Sequence, residues 1–251
     1  MTPVRIVIVD DEQPARSRLL ELLGDCASQF PHVVAGEAAN ALDGLQLVAL
    51  AQTDLALVDI HMPGMSGIEF ARHLRVLERP PAVIFVTAHD QYAVEAFEVN
   101  AVDYLLKPVR AARLLAALKK SSGGKPLARE VLERLDPHPR RYFSVAERGR
   151  ITLVPVTDVL FLKAELKYVT IRTRAQEFLI EESLSQLETE FAEVFVRIHR
   201  NCLVAQRLIR GVERGAVEDG DAGWSVMLEG WDEPLPVSRR QWAALKELLK
   251  A

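Results

Sequence analysis

The sequence predicts an open, doubly wound α/β sheet followed by a mostly β domain. Three observations carry that expectation. The first half alternates apolar strand-like runs with helical patterns. A stretch that opens in Ser and Gly and closes in two spaced prolines then breaks the rhythm. Beyond Tyr142, short alternating segments follow one another with turn residues between them.

The strand-like runs of the first half are "VRIVIVD" (4–10), "HVVAGEA" (32–38), "DLALVDI" (54–60), "AVIFVTA" (82–88) and "AVDYLLK" (101–107). Several are nearly all apolar, as a parallel sheet covered on both faces requires. Between them lie the helical patterns "PARSRLLELLGDC" (14–26), "ALDGLQLVALAQ" (41–52), "GIEFARHLRVL" (67–77), "QYAVEAFE" (91–98) and "AARLLAALKK" (111–120). Five such β–α repeats imply helices on both faces of one sheet. The predicted first domain is 1–121. The stretch "SSGGKPLAREVLERLDPHPRR" (121–141) supplies the natural linker, 122–141, with a short helix expected at 127–135.

The second domain, 142–251, is predicted from "YFSVAE", "RITLVPV", "VLFLKAE", "KYVTIRT", "EFLIEE", "FVRIHR", "CLVAQ", "IRGVE", "WSVMLEG" and "EPLPVS" as strands. Two helical pieces punctuate it, "SLSQLETEF" (183–191), opened by a Ser cap, and "RRQWAALKELL" (239–249).

Bulk composition narrows the function classes. A chain of 251 residues with 49% hydrophobic content can bury a core in each half. The two cysteines, Cys26 and Cys202, lie far apart and make neither a metal-like pair nor a disulfide framework, which predicts a reducing, cytoplasmic setting. No signal-type apolar segment or membrane-length run is present in the sequence, so no membrane partner is expected. Net charge is −4. Residues 1–125 carry 12 Lys and Arg against 15 Asp and Glu, and the remainder 19 against 20. Neither half is basic, so composition does not announce nucleic-acid binding, and the argument passes to where individual basic residues sit.

The run "VIVDDE" (7–12) poses the functional question, because three adjacent carboxylates repel one another and resist losing water. In an open α/β sheet, ligands bind at the carboxyl ends of the strands. On the predicted strands, Asp10 and Asp11 end the first, Asp59 the third, Thr87 the fourth and Lys107 the fifth, so all converge on one edge. Carboxylates tolerate that proximity when a hard divalent cation lies between them and a lysine stands nearby. The chemistry suited to the set is phosphoryl transfer to a carboxylate, with a cation held by the acids and Lys107 and Thr87 on the phosphoryl oxygens. The Gly-bearing loop "MPGMSG" after Asp59 lets backbone groups approach. Each residue alone is ordinary: a strand-end acid, a β-branched strand residue, a surface lysine. Asp54 and Asp103 carry no such recommendation.

Taken together, "VIVDDE", "LALVDIHMPGMSGIE", "VIFVTAHD" and "DYLLKP" closely resemble the receiver domain of bacterial two-component response regulators, over about residues 3–120. The resemblance implies the flavodoxin-like strand order 2-1-3-4-5. It also implies Asp59 as phosphoacceptor, with Mg²⁺ (or Mn²⁺) held by Asp11, Asp59 and the backbone carbonyl of His61, assisted by Asp10. Thr87 and Lys107 would contact the phosphoryl group, the Lys107–Pro108 bond would be cis, and Tyr104 would be the switch aromatic that moves inward with Thr87. His61 and His89 lie two positions beyond Asp59 and Thr87, where two surface histidines are the better reading than residues flanking water's route to an acyl phosphate.

In the second half, "VLFLKAELKYVTIRT", "SLSQLE", "FVRIHRNCLVAQRLI" and "LPVSRRQWAALKELL" resemble the LytTR DNA-binding domain, over about residues 142–250. With both domains present, the chain is similar to regulators of the AlgR/LytR type. That resemblance implies a mostly β domain whose loops enter successive major grooves. Arg200 and Arg239 are the leading candidates for base edges, since a guanidinium bonds guanine N7 and O6 together. Lys167 and Tyr168, with Lys163 nearby, lie in a loop position the family also uses. Asn201, Arg197 and Arg240 suit phosphate positioning or a structural role. Cys202 reads as core.

The expected function is a transcription factor rather than an enzyme. A sensor histidine kinase or small phosphodonor would phosphorylate Asp59. The face made by the predicted helix 91–98, the fifth strand and the following helix would rearrange, favouring a homodimer on promoter DNA. The alternative is a receiver-controlled protein–protein module whose β domain touches no DNA.

Overall fold

The computed structural model describes residues 2–88, 103–121, 138–147, 150–216 and 222–249, together with Leu132, Leu135 and Asp136. The expected helix at 91–98, most of that at 127–135, and His89 lie outside the described residues. The chain divides into two units, Met1–Arg140 with Ala146–Thr152, and Arg141–Val145 with Leu153–Ala251. No helix among the described residues is long and apolar enough to cross a membrane.

In the first unit, β1 (Val4–Val9), β2 (His32–Ala38), β3 (Leu55–Asp59), β4 (Ala82–Thr87) and β5 (Asp103–Leu106) form one sheet in the order β2-β1-β3-β4-β5. The pairings are parallel throughout. Between strands run α1 (Gln13–Cys26), α2 (Ala41–Ala51) and α3 (Gly67–Leu74), and α4 (Ala111–Ser121) follows β5. Alternation along each strand splits the core between the two faces. Ile6, Ile8, Leu55, Leu57, Ile84, Val86 and Leu105 pack with Leu19, Leu22 and Leu23 of α1 and Leu114 and Leu118 of α4. Val9 faces the other way, where Gly44 of α2 comes close to both Val9 and Phe70 of α3.

Local signals start the helices where the pattern predicts. Asn40 caps α2 by accepting from the Asp43 N–H at 2.9 Å, and Ser66 caps α3 by accepting from Glu69 at 3.1 Å. The helix α3 ends at Leu74, three residues short of the predicted stretch, and Arg75 takes its C-cap.

In the second unit, β8 (Val159–Glu165), β9 (Tyr168–Thr173), β10 (Glu177–Ile180), β11 (Phe195–His199) and β12 (Cys202–Ala205) form an antiparallel sheet in the order β10-β9-β8-β12-β11. The strands β13 (Ile209–Ala216), β14 (Ala222–Leu228) and β15 (Trp231–Val237) form a second sheet. Separately, β6 (Tyr142–Glu147) pairs with β7 (Arg150–Pro155), a ribbon whose residues Ala146–Thr152 count with the first unit. Among the described residues, the α-helices of this unit are α5 (Leu184–Glu190) and α6 (Arg239–Leu248). Ser183 opens α5 with the predicted cap, and Gln186 reaches back to complete a capping box. Phe143 and Phe191 pack tilted at 5.1 Å, and Phe191 and Phe195 edge-to-face at 5.9 Å, in a core that also takes Leu187, Ile198, Cys202, Val226, Val237 and Leu245. Trp224 lies flat on Trp242 of α6, with centroids 4.1 Å apart.

Candidate functional site

The strand register brings the predicted polar residues to one edge. Val9 lies opposite Val58, so Asp10 is level with Asp59. Asp59 lies opposite Val86, with Thr87 next in line, and Thr87 lies opposite Leu106, with Lys107 after it. The Lys107 N–H donates to the Thr87 carbonyl at 2.8 Å, which fixes the lysine's starting point. Its ammonium then lies 2.9 Å from Asp10 Oδ2, 3.6 Å from Asp59 Oδ2 and 3.5 Å from Glu12 Oε2. Asp10, Asp59 and Thr87 are buried. Asp10 Oδ1 also accepts from the Glu12 N–H at 3.0 Å. Thr87 Oγ1 stands 3.4 Å from His61 Nδ1, so His61 belongs to the rim of this site. Tyr104 is buried on β5, and the Lys107–Pro108 bond is cis.

The electrostatics follow from crowding acids in a half-dry edge. Burial pushes the Asp59 carboxyl up to about 6; Lys107 opposes that shift, and Asp10 and Asp11 add to it. Burial alone would lower the Lys107 ammonium, but its hydrogen bond and charge pairing with Asp10, joined by Asp59 and Glu12, hold it above its ordinary value. One carboxylate oxygen from each of Asp10, Asp11 and Asp59 lies within 4.8 Å of the others. Three hard oxygen ligands converging this closely, two of them buried and under mutual repulsion, fit a hard divalent cation.

Because the folded-state value of Asp59 is raised, its ionised form costs stability above about pH 6, and that cost is relieved as pH falls through 6. Asp59→Asn is therefore expected to raise the unfolding free energy of the chelator-treated protein at pH 8 by about 1–3 kcal/mol, seen as a higher urea midpoint. The gain should shrink below pH 6. Urea melts at pH 8 and pH 5 check both the sign and the window.

A residue that the strand-end argument passed over holds this edge in shape. A Cβ on Gly67 would sit 2.1 Å from the Asp59 carbonyl oxygen. The Gly67 N–H also donates to the Ile60 carbonyl at 2.8 Å, so the start of α3 lies directly on the backbone of the acid. Gly64, in the same loop, has φ +83, which suits glycine. Gly67→Ala is expected to cost about 3 kcal/mol, as overpacking against an immovable carbonyl does. A lowered urea midpoint with an unchanged slope would show it.

Other contacts had no sequence signal because they need the tertiary fold. Arg72 of α3 donates to the carbonyls of Leu132 (3.1 Å), His138 (2.9 Å) and Asp136. One guanidinium thus gathers the chain that follows the first domain. Asp103, unremarkable in sequence, takes a two-pronged ion pair from Arg113 of α4 and accepts from the Tyr104 N–H at 2.9 Å. Burial would raise its carboxyl, but these bonds hold it below the usual carboxylate range. Asp54 Oδ2 accepts from the Arg5 N–H at 2.8 Å.

In the second unit, three separate stretches meet at one end of the five-stranded sheet. Glu165 pairs with Tyr168, making Leu166 and Lys167 the tip of the β8–β9 hairpin. Lys163 pairs with Cys202, and the Ala164 N–H donates to the Asn201 carbonyl at 2.8 Å, so the Arg200–Asn201 turn lies beside that tip. The Ser238 N–H donates to the Ile198 carbonyl at 2.9 Å, which ties the start of α6, with Arg239 and Arg240, to the same end. Arg200, Arg239 and Arg240 are exposed. Lys163 pairs with Glu165 at 2.8 Å. Lys167 pairs with Glu181 at 3.0 Å and lies 5.2 Å from the Tyr168 ring. Asn201 Oδ1 bonds the His199 ring within the turn. Arg197 is structural, bonding Glu188 at 2.9 and 2.6 Å and the Arg200 carbonyl at 2.8 Å.

Sequence families agree with both halves. Residues 6–119 match the response regulator receiver domain, and residues 149–250 match the LytTr DNA-binding domain. The chain belongs to the response regulators that join these two domains. It is 41% identical to the positive alginate biosynthesis regulatory protein of Pseudomonas aeruginosa, over 98% of this chain and 99% of that one. An uncharacterized response regulatory protein of Vibrio cholerae is 36% identical over 97% of each chain. The sensory transduction protein LytT of Bacillus subtilis is 30% identical over 98% of this chain and 99% of that one.

Proposed function

We propose that this response regulator accepts a phosphoryl group on Asp59 and thereby controls sequence-specific binding of promoter DNA by its second domain. The observation that carries the reading is the Lys107 ammonium held between the Asp10 and Asp59 carboxylates at the carboxyl edge of the sheet. An Asp59 oxygen attacks phosphorus in line, forming an acyl phosphate as the bond to the donor breaks. The donor is a phosphohistidine of a sensor kinase or a small acyl phosphate. Lys107, 3.6 Å from Asp59, is placed to follow one phosphoryl oxygen as charge moves outward. The Thr87 hydroxyl donates to another. Asp10, Asp11 and Asp59, whose carboxylate oxygens converge, with the backbone carbonyl of His61, would hold Mg²⁺ or Mn²⁺, whose charge would offset the repulsion between carboxylate and phosphoryl anions.

The displacement of Thr87 towards the new group makes room for Tyr104, and that exchange biases a two-state rearrangement. The response is a homodimer whose two β domains occupy paired half-sites, so that near-neutral domains reach useful affinity together. Lys163, Lys167, Tyr168, Arg200, Asn201, Arg239 and Arg240 form the DNA-contacting end. The likeness to an alginate regulator of Pseudomonas aeruginosa supports a role in transcription control.

Mobility-shift titrations against competitor DNA, with and without acetyl phosphate and Mg²⁺, test the reading. Binding that survives competitor and weakens with salt at a slope of about −0.9 per phosphate contact is expected. Salt-independent binding, or none to any selected duplex, would count against DNA as the target and favour a protein partner.

A further inference from the structure

The tip of the β8–β9 hairpin carries a side chain that neither its backbone nor water favours. Leu166 has φ +53, and its relative exposure is 110%. It is the first central residue of a two-residue turn between Glu165 and Tyr168. Positive φ at that position is what a type II′ turn demands, and glycine is the residue that supplies it without steric conflict. Among the described non-glycine residues, Gln52 is the other with positive φ, and it has an ordinary reason: it stops α2 in the left-handed conformation, with its N–H on the Val48 carbonyl. No such reason applies to Leu166. An exposed leucine alone needs no explanation. A bulky, wholly exposed leucine on a backbone that suits glycine is a different matter, and such outliers gather where a chain makes contact with something.

The surroundings indicate what that something is. Lys167 follows directly, with its ammonium 5.2 Å from the Tyr168 ring, and Lys163 lies on the same hairpin. The Arg200–Asn201 turn stands alongside through the Ala164–Asn201 hydrogen bond. Leu166 is thus an apolar projection beside two lysines, Lys163 and Lys167, whose ammoniums pair with Glu165 and Glu181 and would exchange those carboxylates for phosphates on DNA. That combination suits a DNA major groove, whose walls are phosphate and whose one apolar feature is the C5-methyl of thymine.

Resting on the DNA-binding reading above, we propose that Leu166 reads sequence by packing its methyl groups against a thymine C5-methyl, while Lys167 beside it holds the phosphate. The hairpin would then contribute a thymine preference at a fixed offset from the bases met by Arg200.

The test uses the full-length chain and a duplex recovered by selection from random-sequence DNA. Each thymine is replaced in turn by uracil, which lacks only the methyl group. For the wild-type protein, uracil at one or two positions is expected to weaken binding by about 3- to 10-fold. Leu166→Asn and Leu166→Gly keep a residue that accepts positive φ, so both should melt at or above the wild-type temperature. Each should lose the same factor on the thymine duplex and be indifferent to uracil at those positions. Wild-type affinity in either variant, or continued sensitivity to uracil there, would overturn the proposal. If the wild-type protein recovers no sequence from the selection, the DNA-binding reading fails and the proposal falls with it. Retained selection by Arg200, with no uracil effect anywhere, removes the Leu166 contact alone.

Discussion

Asp59→Asn is expected to reduce labelling by acetyl phosphate in Mg²⁺ to background. The amide preserves the size of the side chain at the end of β3 but offers no anionic oxygen to attack phosphorus. The neighbours predict graded companions. Lys107→Ala should still take label, about 100-fold more slowly, because it removes an ammonium that compensates charge without removing the nucleophile. His61→Ala tests the nearest alternative nucleophile, since its ring borders the site at 3.4 Å from Thr87. It should leave the stoichiometry of label unchanged. Label retained by Asp59→Asn and lost by His61→Ala would move the phosphoacceptor to the histidine and reject the carboxylate mechanism.

The second large effect concerns the exposed arginines. Replacing Arg200 and Arg239 together by alanine should collapse the ratio of specific to non-specific DNA affinity. A guanidinium paired with a guanine edge contributes about 1–3 kcal/mol of discrimination. Two of them account for about 30- to 10⁴-fold in that ratio. Non-specific binding and the salt slope should change little, because base-edge guanidiniums neutralise no phosphate. Arg240→Ala is the internal control: next to Arg239 at the start of α6, it should weaken all sequences alike if its partner is phosphate. An unchanged specificity ratio in the double variant would place sequence reading elsewhere on the domain.

How much of this was legible in the sequence depends on the range of the interaction. The first-unit strands were legible almost residue by residue, because nearly all-apolar runs such as "AVIFVTA" have few alternatives once helical stretches separate them. The gathering of Asp10, Asp59, Thr87 and Lys107 was legible too, since a parallel sheet leaves every strand's carboxyl end at one edge. The helix α3 was overrun by three residues because "RVL" continues its periodicity beyond the last helical turn. Gly67 was legible only as part of a flexible loop; the carbonyl it accommodates becomes visible only when α3 is laid on β3. Arg72 on the carbonyls of residues 132–138, Arg113 on Asp103, and Arg197 on Glu188 were invisible for the same reason. Arginine and acid are common, and spacing along the chain does not say which pair will meet. The strained Leu166 belongs to another category, since nothing in "AELKYV" announces a backbone that suits glycine.

Both thiols of this protein are locked away. Burial raises Cys26 and pushes Cys202 up to about 12, so neither supplies an appreciable thiolate near neutral pH. Oxidants and alkylating agents therefore find little to attack while the chain stays folded. Cys202 opens the strand directly after the Arg200–Asn201 turn, which makes its silence towards a thiol reagent a gauge of whether the sheet behind that turn remains closed.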